Sequence, residues 1–150
     1  YKSENLARID MEGYVRSLTA NLKSAFGTGE RVSISIAVED VYLDINVAVP
    51  CGLIINEILT NSLKHAFKGR GRGSISISLK QINQGNNLLD IHDDGIGVPP
   101  GFDLGTSESL GTTLIKILTE QIDGEVEVIR HKGTRFKISF PSARKNESVM

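Results

Sequence analysis

The side chains with the clearest chemical potential lie on one predicted helix in the middle of the chain. At about 100° per residue, Glu57, Asn61 and Lys64 fall within an arc of about 60° on one face of that helix. The opposite face is formed by Ile55, Leu59, Ser62, Leu63 and Ala66, with Ile58 at its flank. Carboxylate and amide oxygens suit a hard cation such as magnesium, and a nearby lysine suits phosphate. An ordinary solvated face is the competing interpretation, although asparagine is a weak helix former at mid-helix.

A second candidate feature is the segment 93–97, Asp-Asp-Gly-Ile-Gly, which closes a predicted strand. A buried carboxylate at a strand end can accept a hydrogen bond from an exocyclic amine. Gly95 and Gly97 would let the backbone approach a flat ring closely. An acidic β-turn is the competing interpretation, because Asp-Gly pairs are common in turns.

Two further segments contain glycine beside hydroxyl side chains. The segment 109–113, Ser-Leu-Gly-Thr-Thr, begins a predicted helix, where free N–H groups and a glycine form a natural phosphate cradle. A serine-capped helix that happens to contain Gly111 explains the same residues. Gly133 and Thr134 lead into the last predicted strand, and alone they would indicate an ordinary hairpin.

Three helices and six strands are predicted to position these segments. The helices are expected over 1–26, with Asp10 as N-cap, over 50–67, with Pro50 in the first turn, and from 110 to about 122. The strands are expected over 31–38, 41–43, 74–82, 88–93, 125–130 and 135–140. Consecutive strands with hairpin-like links predict a mixed, mostly antiparallel sheet with helices on one face. This is an α+β fold, a two-layer α/β sandwich.

The composition fits one domain, with 150 residues, 39% hydrophobic and 23% charged. No apolar run approaches the roughly 18 residues of a membrane span, and no secretory signal opens the chain. We therefore expect a cytoplasmic location and no membrane contact by this segment. A net charge of −1 gives no general reason to expect nucleic acid as a partner. Cys51 is the single cysteine, which predicts a small apolar residue and excludes an intrachain disulfide.

In this order, the four motifs resemble those of the ATPase superfamily shared by DNA gyrase, heat-shock chaperones, mismatch-repair ATPases and histidine kinases. The run 56–67 resembles the asparagine box, and 93–97 the first glycine box. The run 109–115 resembles the second glycine box, and Gly133-Thr134 the closing Gly-Thr motif. Asn61 followed by Lys-His-Ala at 64–66 resembles the asparagine box of histidine kinases in particular. Glu57 and the Gly-Thr-x-Phe ending resemble a bacterial and archaeal subgroup with a variant phospho-acceptor domain.

The resemblance covers about 31–141 and implies a Bergerat-type ATP-binding fold with ATP and magnesium as cofactors. It implies a histidine-kinase-like ATPase domain over 28–141, followed by a polar tail over 142–150. The helical segment 1–27 is either the end of a dimerisation or acceptor hairpin or a helix that packs on the sheet.

The resemblance also implies roles for individual residues. Those that it places against the nucleotide are Asn61, Lys64, His65, Asp93, Gly95, Gly97, Gly111 and Thr134. Asn61 and Glu57 are the implied magnesium ligands. Glu57 and Lys64 are the implied catalytic residues: Lys64 would contact phosphate oxygens, and Glu57 would help bind metal or polarise the incoming histidine. Asp93 would bind the adenine amine with support from Thr134, and 94–109 would form a lid over ATP.

Four residues depart from the usual motifs. Asp94 stands where relatives commonly have asparagine, which adds negative charge near the nucleotide. Ser109 stands where many kinases have the first glycine of the second box, and Thr112 and Thr113 replace a usual leucine. The phosphate cradle is therefore the part of the site that matches the family least closely.

None of the three histidines is placed as a phosphate acceptor should be, on the exposed helix of a dimerising hairpin. His65 ends a predicted helix, His92 lies in a strand, and His131 lies in a turn. The resemblance thus implies that the γ-phosphate goes to a histidine in an upstream dimerisation and phospho-acceptor domain outside this chain, with a response regulator as an indirect partner. Two alternatives stay open: a serine kinase of the anti-sigma type, and a degenerate nucleotide-binding or interaction module.

Overall fold

The computed structural model describes residues 8–105 and 109–143. Its elements are β1 (Arg8–Asp10), α1 (Met11–Phe26), β2 (Val32–Val38), β3 (Tyr42–Asp44), α2 (Ile45–Asn61), a π-helical turn (Ser62–Ala66), β4 (Gly73–Asn83), β5 (Asn86–Asp93), α3 (Leu110–Gln121), β6 (Glu125–Arg130) and β7 (Thr134–Pro141). Residues 1–7 of the predicted first helix and 144–150 of the predicted tail lie outside the described residues.

Five strands form the main sheet in the order β2-β4-β5-β7-β6. β2 and β4 pair in parallel, whereas the β4–β5, β5–β7 and β6–β7 pairs are antiparallel. The parallel pair requires a long crossover, which contains α2. The predicted mixed, mostly antiparallel sheet is confirmed.

The short strand β3 lies outside this sheet and pairs antiparallel with β1. The prediction that consecutive strands are joined as hairpins is therefore wrong for β2 and β3. The helical prediction is also wrong for Arg8–Asp10, where Ile9 pairs with Leu43. Three residues are too few to show the alternation that would have distinguished a strand from the helix that follows.

The core lies between the helices and one face of the sheet. The inward-facing residues of the central strands are buried, namely Ile75, Ile77, Leu79, Leu89, Ile91, Phe136, Ile138 and Phe140. Alternate residues such as Ser76 and Lys80 face the other side and are exposed. The prediction of a two-layer α/β sandwich with helices on one face is confirmed.

Helix α1 has the capping residues that the sequence predicts. The Asp10 carboxylate accepts a hydrogen bond from the Glu12 N–H at 3.2 Å. At the other end, Gly27 adopts a left-handed conformation with φ of 61° and stops the helix. None of the helices in the described ranges is long and apolar enough to cross a membrane.

Helix α2 begins five residues earlier than predicted, at Ile45, and Pro50 lies inside it. Proline deprives a helix of one backbone hydrogen bond, and this loss is tolerated here because Val47, Ala48 and Cys51 are buried on the same helix and anchor its start. Burial raises the pKa of the Cys51 thiol to about 12, which makes it an inert core residue as predicted.

Candidate functional site

A cavity of about 460 Å³ opens between the end of α2, the start of α3 and the adjoining ends of β5 and β7. This volume is within the range of about 300–1,000 Å³ that is typical of small-molecule sites. Six of the predicted nucleotide-binding residues line it: Asn61, His65, Asp93, Gly97, Gly111 and Thr134. Its apolar walls include Ile58, Ile96, Val98, Phe102 and Phe136. The fold thus brings together motifs from four separate parts of the sequence.

Asp93 is a nearly buried carboxylate at the end of β5. Its Oδ1 accepts hydrogen bonds from the backbone N–H of Gly95 at 2.9 Å and of Thr134 at 3.3 Å. Its Oδ2 accepts a hydrogen bond from the Ser62 hydroxyl at 3.0 Å. Thr134 therefore supports Asp93 through its backbone in this structure. These bonds hold the carboxylate in one orientation against the cavity.

Ser62 is a site residue that the sequence analysis did not identify. It is buried beside the apolar face of α2, as its helical position indicates, but it also lines the cavity and contacts Asp93. Its backbone N–H points at the carbonyls of both Ile58 and Leu59, where α2 passes into the π-helical turn. π-Helical turns occur frequently at functional sites, but this one has no sequence pattern that could have predicted it. A hydroxyl on an otherwise apolar helix face was the available signal.

Glu57 and Asn61 of α2 lie against the start of α3. Asn61 and Gly111 line the cavity, whereas Glu57 is not among its lining residues. A Cβ atom at Gly111 would lie 3.1 Å from Glu57 Oε2, 3.3 Å from Asn61 Nδ2 and 3.5 Å from Asn61 Oδ1. The absence of a side chain at position 111 therefore lets the first turn of α3 approach the Glu57 carboxylate and the Asn61 amide. Among the described residues no group of three or more His, Cys, Asp or Glu side chains is arranged to hold a metal.

The start of α3 is capped by Ser109, as the simpler interpretation of this motif predicts. The Ser109 Oγ accepts a hydrogen bond from the Thr112 N–H at 3.2 Å, and it lies 2.6 Å from the Thr112 Oγ1. The Thr113 hydroxyl donates to the Ser109 carbonyl at 2.9 Å. The hydroxyls that replace glycine and leucine in this motif thus bond to one another and to the backbone. Ser109 and Thr112 also line the cavity, so a ligand can reach this helix end.

Gly95 and Gly97 bring the segment after β5 close to its neighbours. A Cβ atom at position 95 would overlap the backbone carbonyl of Ala66, and the adjacent Ile96 N–H donates to that same carbonyl at 2.8 Å. Gly97 has a φ of 81°, and a Cβ there would lie 3.1 Å from the Gly133 carbonyl oxygen. Gly95 therefore stands behind the cavity as a support, and Gly97 lines it.

Three cationic side chains hold the backbone of the predicted lid, of which 94–105 and 109 are described. Arg70 donates to the Asp94 carbonyl. Arg130 Nε donates to the Val98 carbonyl at 2.8 Å, and Lys116 Nζ donates to the Gly105 carbonyl at 3.3 Å. Each anchor comes from a different element, so the lid segment is tied to the loop after α2, to β6 and to α3.

Two further charged residues, Lys64 and Asp94, are also outside the cavity lining. Lys64 is exposed and is not among the lining residues, because the π-helical turn begins at Ser62 and interrupts the α-helical spacing on which the predicted arc depends. Asp94 turns its carboxylate to Ser74, whose N–H and hydroxyl both donate to it at 2.9 Å. Partial burial acts to raise the pKa of Asp94, but these hydrogen bonds and the charge of Arg70 outweigh it and hold the pKa below its ordinary value.

The remaining histidines lie apart from the cavity. The rings of His92 and His131 stack with their centroids 6.4 Å apart, and His92 Nε2 lies 3.0 Å from the His131 carbonyl oxygen. His92 lies in β5 and His131 in the turn between β6 and β7, as the sequence predicts.

Comparison with known proteins identifies a family and several relatives. The profile of the histidine kinase-, DNA gyrase B- and HSP90-like ATPases matches residues 46–144. Blue-light-activated histidine kinase 2 of Erythrobacter litoralis is 25% identical over 142 residues, which cover 94% of this chain and 41% of that protein. Sensor histidine kinase PdtaS of Mycobacterium tuberculosis is 30% identical over 112 residues, or 72% of this chain and 22% of that protein.

Solved structures of histidine kinases share this fold. The histidine kinase domain of the blue-light-activated histidine kinase from Erythrobacter litoralis superposes with a TM-score of 0.80 at 26% identity. The match covers 89% of this chain and 62% of that domain. The chain thus spans less than half the length of the two relatives named above.

Proposed function

Because the chain belongs to the histidine kinase-, DNA gyrase B- and HSP90-like ATPase family, we propose that it is the part of a longer sensor histidine kinase that binds ATP with magnesium and donates the γ-phosphate. The chain is an ATP-binding domain of the histidine-kinase type. The phosphate acceptor is a histidine outside residues 1–150, in a dimerisation and phospho-acceptor domain. A response regulator then receives the phosphate, and the chain acts in the cytoplasm.

The observation that carries this proposal is the buried Asp93 carboxylate at the apolar end of the cavity. Three donors occupy its two oxygens and leave Oδ2 able to accept one further hydrogen bond. An exocyclic amine supplies the required donor. The apolar walls formed by Ile58, Val98 and Phe136 suit the faces of a flat aromatic ring. This end of the cavity therefore fits adenine.

The other end of the cavity fits magnesium and phosphate. The Glu57 carboxylate and the Asn61 amide both approach Gly111, so two side chains that carry hard oxygen atoms meet the start of α3 from one helix. Magnesium binds through one or two protein oxygens and completes its coordination with water and substrate phosphates. A pair of protein ligands without a third acidic group is therefore a suitable set. When bound, the ion would neutralise charge on the phosphate chain.

The protein's own groups have distinct tasks in this proposal. Asn61 positions the metal and phosphates, and the N-terminus of α3 at Gly111 receives phosphate oxygens. Glu57 has the role of accepting a proton from the incoming imidazole or of contacting the metal, and its contact with Gly111 at the cavity wall supports this assignment. Lys64 is exposed beside this region, and it contacts phosphate oxygens when its long side chain turns toward the cavity.

Radioactive labelling of the longer protein that contains this chain tests the proposal. Incubation with γ-labelled ATP and magnesium should label that protein on a bond that is labile to acid and stable to base, as a phosphorylated histidine is. The 150-residue chain alone should bind ATP without becoming labelled. Label that survives acid would identify a hydroxyl acceptor and the anti-sigma type of serine kinase. Absence of label together with absence of nucleotide binding would indicate a degenerate interaction module.

A further inference from the structure

We propose that Ser62 determines the preference of the site for a purine that carries an exocyclic amine over one that carries a carbonyl oxygen. The inference rests on the proposed function, because it deepens the recognition of the base by Asp93. The observation behind it is the buried hydrogen bond from Ser62 Oγ to Asp93 Oδ2 at 3.0 Å, between two residues that both line the cavity.

The direction of this hydrogen bond determines what the pair offers to a ligand. A carboxylate accepts hydrogen bonds and does not donate, so the single hydroxyl proton of Ser62 is committed to Asp93. The Ser62 oxygen is then left as an acceptor on the cavity wall. Asp93 Oδ1 is occupied by the N–H groups of Gly95 and Thr134, which leaves one acceptor position on Oδ2. The pair thus presents neighbouring acceptors and no donor.

This arrangement favours an amine and opposes a carbonyl. An amine brings donors to both oxygens, whereas a carbonyl oxygen would face two acceptors at once. Rotation of the Ser62 hydroxyl toward such a carbonyl would remove the donor from Asp93 Oδ2 and leave that buried oxygen unpaired. Ser62 therefore strengthens the discrimination that Asp93 alone would provide.

The backbone holds Ser62 in the required place. Its N–H is directed at the carbonyls of Ile58 and Leu59, at the step from α2 into the π-helical turn. Ser62 is 5% exposed, so its hydroxyl has little access to bulk water as an alternative partner. Ser62 is therefore a specificity-determining residue that acts on the base both directly and by orienting Asp93.

The test compares dissociation constants for ATP and inosine triphosphate, which has a carbonyl oxygen in place of the adenine amine. We expect the wild-type chain to prefer ATP and Ser62→Ala to reduce the ratio of the two constants by about tenfold. Ser62→Thr keeps the hydroxyl and should retain most of the preference. Ser62→Cys keeps the side-chain volume but donates weakly, and it should behave like Ser62→Ala.

Ser109→Ala is the matched control, because Ser109 lines the same cavity at its other end and its hydroxyl bonds to Thr112. It should change both affinities by the same factor and leave their ratio intact. An unchanged ratio in Ser62→Ala and Ser62→Cys would overturn the inference while the proposed function stands. Failure of the wild-type chain to bind either nucleotide would overturn both.

Discussion

Gly111 and Glu57 approach so closely that a Cβ atom on the glycine would lie 3.1 Å from the glutamate Oε2. This contact joins the start of α3 to the polar face of α2, and Asn61 reaches the same point. The phosphate end of the proposed site is therefore formed by two helices, and their close approach depends on glycine at position 111. The base end depends on a different set of contacts, centred on Asp93.

Asn61→Ala should reduce the affinity for ATP in the presence of magnesium by about tenfold or more, because it removes one of two converging oxygen donors. The affinity measured without magnesium should change much less. Fluorescence titration with and without the ion measures both. Thr60→Ala is the matched control, since Thr60 is a half-buried neighbour on α2 that does not line the cavity. Equal losses with and without magnesium would refute Asn61 as a metal ligand.

Asp93→Asn should weaken ATP binding by about 10- to 100-fold, because an amide replaces one acceptor oxygen by a donor that opposes Ser62 or the adenine amine. Asp90→Asn is the control on the same strand. It breaks the 2.9 Å ion pair with Arg135 on the outer face of the sheet and should leave ATP affinity unchanged. Isothermal calorimetry compares the two variants, and similar affinities for both would contradict the assignment of Asp93 to the base.

Gly95→Ala should lower the free energy of unfolding by about 1–3 kcal/mol, because the added Cβ overlaps the Ala66 carbonyl, which accepts from Ile96. Urea denaturation measures this change. Gly71→Ala is a control in an exposed loop, where a Cβ meets no atom within 4 Å, and it should change stability by less than about 0.5 kcal/mol. Equal unfolding free energies for the two variants would contradict the prediction, because they would show that the backbone near Ala66 shifts to accept the added Cβ at little cost.

Asp94 should contribute stability that depends on pH. Its folded pKa lies below the ordinary value of 3.8, so the contribution is fully present above the unfolded pKa and is lost as the pH falls through the folded pKa. The difference in unfolding free energy between wild type and Asp94→Asn should therefore be constant near neutral pH and shrink below pH 3.8. If the difference in unfolding free energy stays constant down to the lowest pH measured, the hydrogen bonds between the Asp94 carboxylate and Ser74 are not its cause.

Hydrophobic periodicity and turn residues were sufficient to predict most of the fold. The strand β6 and the end of α1 at Gly27 were predicted at the observed positions. Pro50 was misleading, because proline usually marks a helix start and here lies within a helix anchored by earlier apolar residues. The β1–β3 pair was not predictable, because each strand has only three residues and forms a strand only by pairing with the other.

The residues that line the cavity were predicted to a similar extent. Asn61 and Asp93 have side chains whose chemistry is unusual for their positions, and the fold brings both to one cavity. Ser62 was missed because its role depends on a contact across 31 residues of sequence. Lys64 was placed on the same arc by assuming an α-helix, and the π-helical turn that displaces it arises from local backbone geometry that sequence periodicity does not encode.

Titration of the 150-residue chain with ATP and with a non-hydrolysable analogue, each with and without magnesium, tests the central claim most directly. Calorimetry should show binding of one nucleotide per chain that becomes tighter when magnesium is added. The absence of magnesium-dependent binding at millimolar nucleotide would contradict an ATP-magnesium site formed by Asn61, Asp93 and the start of α3.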